Sequence, residues 1–266
     1  DWSSDVCSSD LIFVVAALCA GLSPYDPDRM ALGARTLPPD AAHWFGTDEY
    51  GRDYFTRALY GGQISLMVGF LAMLFSTLIG TVVGTVSGYF GGWLDNLMMR
   101  AVDILMAIPA FFLLLVVNAY LKPGVDNIIL IISLLTWMNM SRLVRAETLS
   151  VKEREYVLYA RASGEHPLRI IVRHIIPGVL PTIIVAATLN IASAILMEST
   201  LSFLGLGVQA PAASWGSMLN NAQSYIGEAS WLAMFPGILI LLTVFSFNVL
   251  GDVFRTAFEP GANRDE

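Results

Sequence analysis

Residues 58–94 contain no Asp, Glu, Lys or Arg, and further charge-free runs follow at 104–121, 127–141, 175–197, 199–227 and 229–251. A helix needs about 20 apolar residues to cross the hydrocarbon core of a bilayer. Several of these runs reach that length, so the first question is how many crossings they encode. Only 14% of the 266 residues are charged, against about 25% in ordinary soluble domains. With mean hydropathy +0.62, the chain lacks the polar surface of a soluble globular or disordered protein. A net charge of −7 also argues against nucleic-acid binding, which needs a basic stripe. Two cysteines, Cys7 and Cys19, make neither a disulfide framework nor a zinc site. The fold expected is all-α: a polytopic membrane bundle.

The 58–94 run is too long for one crossing and reads as a helix from about Ile64 to Tyr89, turning at Gly91 and Gly92. The 199–227 run is broken by Gly205, Gly207, Pro211 and Gly216 and reads as a loop. Helices are expected near 64–88, 96–121, 126–143, 177–200 and 231–253. The apolar stretch 11–22 is short for a span. It reads as the outer part of a truncated first span, with a re-entrant or interfacial segment as the alternative, and brings the expected count to six. Residues 1–10 are atypical and carry no basic signal-peptide start. A transmembrane β-barrel would show ten-residue alternation of polar and apolar positions, and none is visible.

Basic residues stay on the cytoplasmic side. The 142–176 loop holds seven of the fifteen: Arg142, Arg145, Lys152, Arg154, Arg161, Arg169 and Arg173. The 201–230 segment holds none, 122–126 holds only Lys122, and 23–60 carries four basic against six acidic residues. The 142–176 loop, Gly91, Gly92 and the C-terminus are therefore expected inside, with 23–60 and 201–230 outside.

Within that loop, Ser150 and Glu153 fit a capping box, Gly164 fits a helix C′ position, and Pro167 blocks simple continuation. A capped helix of about 13 residues, roughly 20 Å long, is expected over 150–164. Tyr156, Val157 and Tyr159 would offer contact area, Arg154 and Arg161 ion pairs, and Ala160, Ala162, Ser163 and Gly164 close approach. The helix could dock on a partner or lie on the inner leaflet with its arginines among anionic head groups.

The spacing here resembles the EAA loop of binding-protein-dependent ABC importer permeases. Tyr159 and Ala160 stand five and four positions before Gly164, and Pro177 stands thirteen after it. Leu158 occupies the place of the family's glutamate, Tyr159 that of its first alanine, and His174 that of a later isoleucine. Four further stretches resemble the C-type subunits of dipeptide, oligopeptide and nickel importers, in order: "HWFGTDEYGRDYFTRALYGGQISLMVG" at 43–69, "GYFGGWLDNLMMRAVDILMAIP" at 88–109, "LSFLGLGVQAPAASWGSML" at 201–219 and "FNVLGDVFRTAFEP" at 247–260. The resemblance implies a permease domain over 61–260, preceded by an extracytoplasmic segment within 11–60 and followed by a tail at 261–266. It implies a second permease subunit, two cytoplasmic ATPase subunits and an extracytoplasmic solute-binding protein as partners. ATP and magnesium would be held by the ATPase, with no cofactor or metal in this chain and no catalytic residue. Coupling to the ATPase falls on Glu155, Tyr159, Ala160, Arg161, Gly164 and Pro177. Peptides are the expected solute, with nickel or glutathione as alternatives.

No G-x-x-x-x-G-K-[ST] loop occurs, so the chain carries no P-loop of its own. Glu198, near the outer end of a span, could meet the ammonium group of a passing peptide; the alternatives are that it sits at the membrane interface or pairs with a polar neighbour in the partner subunit. Arg100 and Asp103 are spaced to pair on one helix. Gly80, Gly84 and Gly88 recur every fourth residue, a face for close helix packing. Pro109 and the Pro236–Gly237 step should kink their helices. Trp215, Tyr225 and Trp231 fit an interfacial belt or a partner contact. A membrane enzyme is disfavoured because His43, His166 and His174 lack H-E-x-x-H spacing and no G-x-S-x-G elbow occurs. A self-sufficient secondary transporter would show more intramembrane ionisable groups than Asp103 and Glu198.

Overall fold

The computed structural model describes residues 21, 23–120 and 124–258, so 1–10, most of 11–22, Lys122 and the 261–266 tail lie outside the described residues. Among the described residues the only strand-type pairing is an isolated bridge between Thr47 and Asp53; the rest is helix and loop. In chain order the helices are α1 (Tyr54–Phe90), α2 (Gly92–Ala107), α3 (Ala110–Tyr120), α4 (Val125–Val151), α5 (Glu155–Ala162), α6 (Pro167–Phe203), α7 (Trp215–Ala222) and α8 (Trp231–Phe258). Four of them, α1, α4, α6 and α8, are long and apolar enough to cross a membrane, and α2 with α3 forms a bent fifth candidate. The expected first span falls on residues outside this count.

Several helices extend past the charge-free runs that predicted them, and in α1 and α4 the charges taken in are paired. α1 begins at Tyr54 rather than Ile64. The Asp53 carboxylate caps it by accepting from the Thr56 N–H at 2.8 Å, and Arg57 is buried against Asp28 and Asp48 at 3.2 and 3.6 Å. α4 runs to Val151, carrying Arg142 and Arg145 with it. The expected single helix over 96–121 is broken more sharply than a kink: α2 and the following helix meet at 85°. Ile108, directly before Pro109, is pushed to φ −82°, ψ 123°, the extended conformation a following proline imposes. Pro236, by contrast, sits inside an unbroken α8. α6 contains a π-helical turn at Ile171–Ile175, just before Pro177, whose ring would otherwise clash with the carbonyl of Arg173.

The chain divides into two compact units. The first gathers the described residues of Asp1–Leu71, Leu121–Leu130 and Ile191–Leu250. Its core joins Tyr54, Ala58, Trp215, Met218, Ala222 and Leu232, tied by Tyr54 Oη donating to the Leu232 carbonyl at 2.5 Å and Trp215 Nε1 to the Ala58 carbonyl at 2.9 Å. Trp215 is therefore buried core and no part of an interfacial belt. The 201–230 segment, read as loop, also contains α7, which opens on a reciprocal Ser214–Ser217 capping box. In the same unit the Asp48–Arg52–Glu49 cluster is buried at 1, 4 and 8% exposure, and burial pushes the Glu49 carboxyl above its usual range.

The second unit gathers the described residues of Ala72–Tyr120, Ile131–Asn190 and Gly251–Glu266. Its core joins Val144 and Val151 of α4, Val157 and Ala160 of α5, and Ile170, Ile175, Val179 and Ile183 of α6. Gly80, Gly84 and Gly88 of α1 meet α4 here. A Cβ on each would lie 2.6 Å from Met140 Cβ, 2.6 Å from the Ser141 carbonyl oxygen and 2.8 Å from Thr148 Cβ.

Candidate functional site

α5 is shorter than expected and starts differently. Ser150 lies in the last turn of α4, where its carbonyl accepts from the Glu153 N–H at 3.4 Å, so no capping box forms. Continuing α4 through Val151, which is fully buried, keeps backbone bonds that a new helix end would leave open. α5 then runs for eight residues from an extended Arg154 (φ −71°, ψ 145°), about 12 Å at 1.5 Å per residue.

Its far end is built as the sequence suggests. Gly164 adopts φ +77°, its N–H bonds the Arg161 carbonyl at 3.1 Å, and the Glu165 N–H bonds the Ala160 carbonyl at 3.2 Å. This pair of bonds is a Schellman cap, which needs a left-handed residue at Gly164's position. The chain then enters α6 through Pro167 at its first position, with His166 Nδ1 accepting from the Leu168 N–H at 3.3 Å.

α5 has two faces. Val157 and Ala160 are buried in the core of their own unit, correcting the expectation that Val157 is exposed contact area and that Ala160 is open to an approaching surface. Tyr156, Leu158 and Tyr159 face out, Tyr159 being 77% exposed. Glu155, Arg161 and Gly164 are exposed on the same segment, whereas Pro177 lies apart on α6. Beside them opens a cleft of about 720 Å³ lined by Tyr156, Tyr159, Glu165, Arg173 and His174. Glu165 accepts from or pairs with His174 Nε2 at 3.1 Å, tying the turn after Gly164 to α6. Sequence reasoning passed over Glu165 because its partner is nine residues away, on a helix whose start it placed later.

Two ion pairs join α2 to α4. Arg145 grips Asp95 with Nε and Nη2, both at 2.6 Å, and the Ser87 hydroxyl donates to the same carboxylate. Asp103 pairs with Arg142 rather than with Arg100, because Arg142 on α4 reaches it directly. Lys152 Nζ donates to the Gly88 carbonyl at 3.0 Å, beside the left-handed turn at Gly91 and Gly92. The close glycine face of α1 and these polar ties make α1, α2 and α4 a stiff support for α5.

Glu198 is fully buried in its own chain, its carboxylate accepting from Ser202 at 2.6 Å and Ser65 at 2.9 Å, with Ser199 at 3.5 Å. It has no open surface at which to meet a passing solute. Among the described residues no group of three or more His, Cys, Asp or Glu side chains could hold a metal ion.

Helices long and apolar enough to cross a membrane are thus interrupted by a capped helix too short to span that presents an exposed aromatic face. Residues 80–264 match the family described as binding-protein-dependent transport system inner membrane component. The chain belongs to that family, the permeases of ABC importers. It is 43% identical over 95% of its length, and 79% of the relative's, to the dipeptide transport system permease protein DppC of Bacillus subtilis (strain 168). It is 41% identical to the probable D,D-dipeptide transport system permease protein DdpC of Escherichia coli (strain K12), over 96% of this chain and 87% of the other. Among solved structures, the fold matches a chain of the inward-facing MetNI methionine ABC transporter with TM-score 0.64 at 20% identity, covering 75% of this chain and 95% of that one.

Proposed function

We propose that this chain forms half of the translocation pathway of an ATP-driven importer of dipeptides or oligopeptides, and that α5 couples it to a separate cytoplasmic ATPase. The observation that carries this reading is the build of α5. Its inner face is locked by Val157 and Ala160, its end is fixed by the cap at Gly164, and Tyr159 stands exposed as an anchor. A short helix held this way moves as one body when a partner pushes on it, as a two-state lever requires. The names of the curated relatives favour peptides over nickel or glutathione as the solute.

The remaining partners would be a second permease subunit, a second ATPase and an extracytoplasmic solute-binding protein. α5, the Gly91–Gly92 turn and the last described residues of α8 face the cytoplasm in this reading, with 23–60 and 201–230 outside. Support comes from the basic residues: seven of the fifteen lie in 142–176 and none in 201–230. A fluorescent or phosphatase reporter inserted after Gly164 is expected to report cytoplasm. A periplasmic signal would overturn the reading, since an ATPase fed by cytoplasmic ATP could not reach α5 there.

A further inference from the structure

We infer that Glu198 is a positioning residue that holds the outer segment 205–215 on α1 and α6 through two serine relays; its functional consequence rests on the importer reading above. Each oxygen of the carboxylate drives one relay. Oε1 accepts from the Ser202 hydroxyl at 2.6 Å, and that same hydroxyl accepts the Val208 N–H at 3.1 Å. Oε2 accepts from the Ser65 hydroxyl at 2.9 Å, and that hydroxyl accepts the Trp215 N–H at 3.3 Å. Ser65 lies on α1, Glu198 and Ser202 on α6, and the two amides bracket the connection from α6 into α7. The carboxylate thus sets the donor direction of both hydroxyls, leaving their lone pairs for the backbone.

Two glycines let the segment lie directly against its neighbours. A Cβ on Gly216 would stand 2.5 Å from the Ser199 carbonyl oxygen, and one on Gly207 2.0 Å from Ser202 Oγ. Glu198 and Ser65 are wholly buried, and Ser202, Val208 and Trp215 are 5% exposed or less. Among the described residues no Lys, Arg or His forms an ion pair with Glu198. A buried carboxylate without a cation is costly in an apolar surrounding. A hydrogen-bond network that satisfies it fully fixes one geometry, whereas half a network does not. Glutamine cannot fully replace it: one amide oxygen can serve one relay, but in the other the NH2 group takes the hydroxyl's remaining lone pair and the hydroxyl proton loses its acceptor.

The consequence is that 205–215 and the start of α7 are set before any partner arrives, so a solute-binding protein meets an ordered surface. The test is backbone hydrogen exchange on the whole complex in lipid nanodiscs, for wild type, Glu198→Gln, Ser65→Ala and Ser202→Ala. Ser202→Ala should speed exchange at Val208, Ser65→Ala at Trp215, and Glu198→Gln at the relay that receives the NH2 group, each by up to about tenfold, the upper end of what one net hydrogen bond carries. In parallel, ATP hydrolysis is titrated with a dipeptide-loaded binding protein. The Glu198→Gln complex should need several-fold more binding protein for half-maximal stimulation while reaching the wild-type maximum. A residue that merely supports folding would lower the maximum and leave the midpoint. Unchanged exchange at Val208 and Trp215, or an unchanged midpoint, would overturn the inference. Failure of any binding protein to stimulate the wild-type complex would instead count against the importer reading, and the exchange result would still judge the relays.

Discussion

Replacing Gly84 with leucine should leave almost no folded protein in the membrane. The position has no room: even a Cβ would sit 2.6 Å from the Ser141 carbonyl oxygen and 2.8 Å from Val144 Cβ, and backbone cannot swing aside as a side-chain tip can. Overpacking a core costs about 1–3 kcal/mol where neighbours can adjust, and α1 and α4 would here have to separate, so the loss should lie at the upper end or beyond. Separation would also pull on the Lys152–Gly88 bond further along the same helices. Gly237 on α8 supplies the control, since nothing lies within 4 Å of a Cβ built there. Gly237→Leu should accumulate and melt in detergent like wild type. Equal levels for the two variants would show that the glycine face of α1 does not govern packing.

The second large effect is expected at Gly164, where folding should survive and coupling should not. No atom lies within 4 Å of a Cβ at this position, so valine would meet no clash. What it cannot do cheaply is hold φ +77°, a left-handed conformation that costs an ordinary L residue about 1–2 kcal/mol and a β-branched one more. The cap formed by the Gly164 and Glu165 N–H groups would open, and α5 would lose its fixed angle to α6. In Gly164→Val, ATP hydrolysis by the assembled complex should stay close to wild type while solute uptake falls at least roughly tenfold, a change of about 1.4 kcal/mol in coupling. Asparagine tolerates the left-handed region, so Gly164→Asn should keep most of the uptake. Loss in both variants alike would point to the glycine's size rather than its backbone.

Much of this architecture was legible in the residues. Apolar runs located every candidate span among the described residues, Gly91 and Gly92 marked the turn after α1, and Gly164 marked the end of α5. Much of what escaped has a common physical cause: a charge can be cancelled by a partner that is distant in sequence. Arg57 and Arg142 bound charge-free runs, yet each is paired with a residue 29 or 39 positions away and the helices run through them. Asp103 has a plausible neighbour in Arg100 but takes Arg142, a choice only tertiary structure can make. Ser150 carried a valid capping signal that lost to the propagation of α4, because burying Val151 and keeping the ladder outweighs one cap. α7 stayed hidden because Ser214 and Ser217 cap it from within a stretch dense in glycine and small polar residues.

The central claim is that this chain is the membrane half of a peptide importer, driven by an ATPase it does not itself contain. It is tested most directly by uptake of a radiolabelled dipeptide into proteoliposomes holding this chain and its partner permease, with binding protein outside and ATP inside, with and without the ATPase subunits. Accumulation against a gradient only when the ATPases are present is the predicted result. Accumulation without them, or none with them while their ATP hydrolysis proceeds under dipeptide-loaded binding protein, would contradict it.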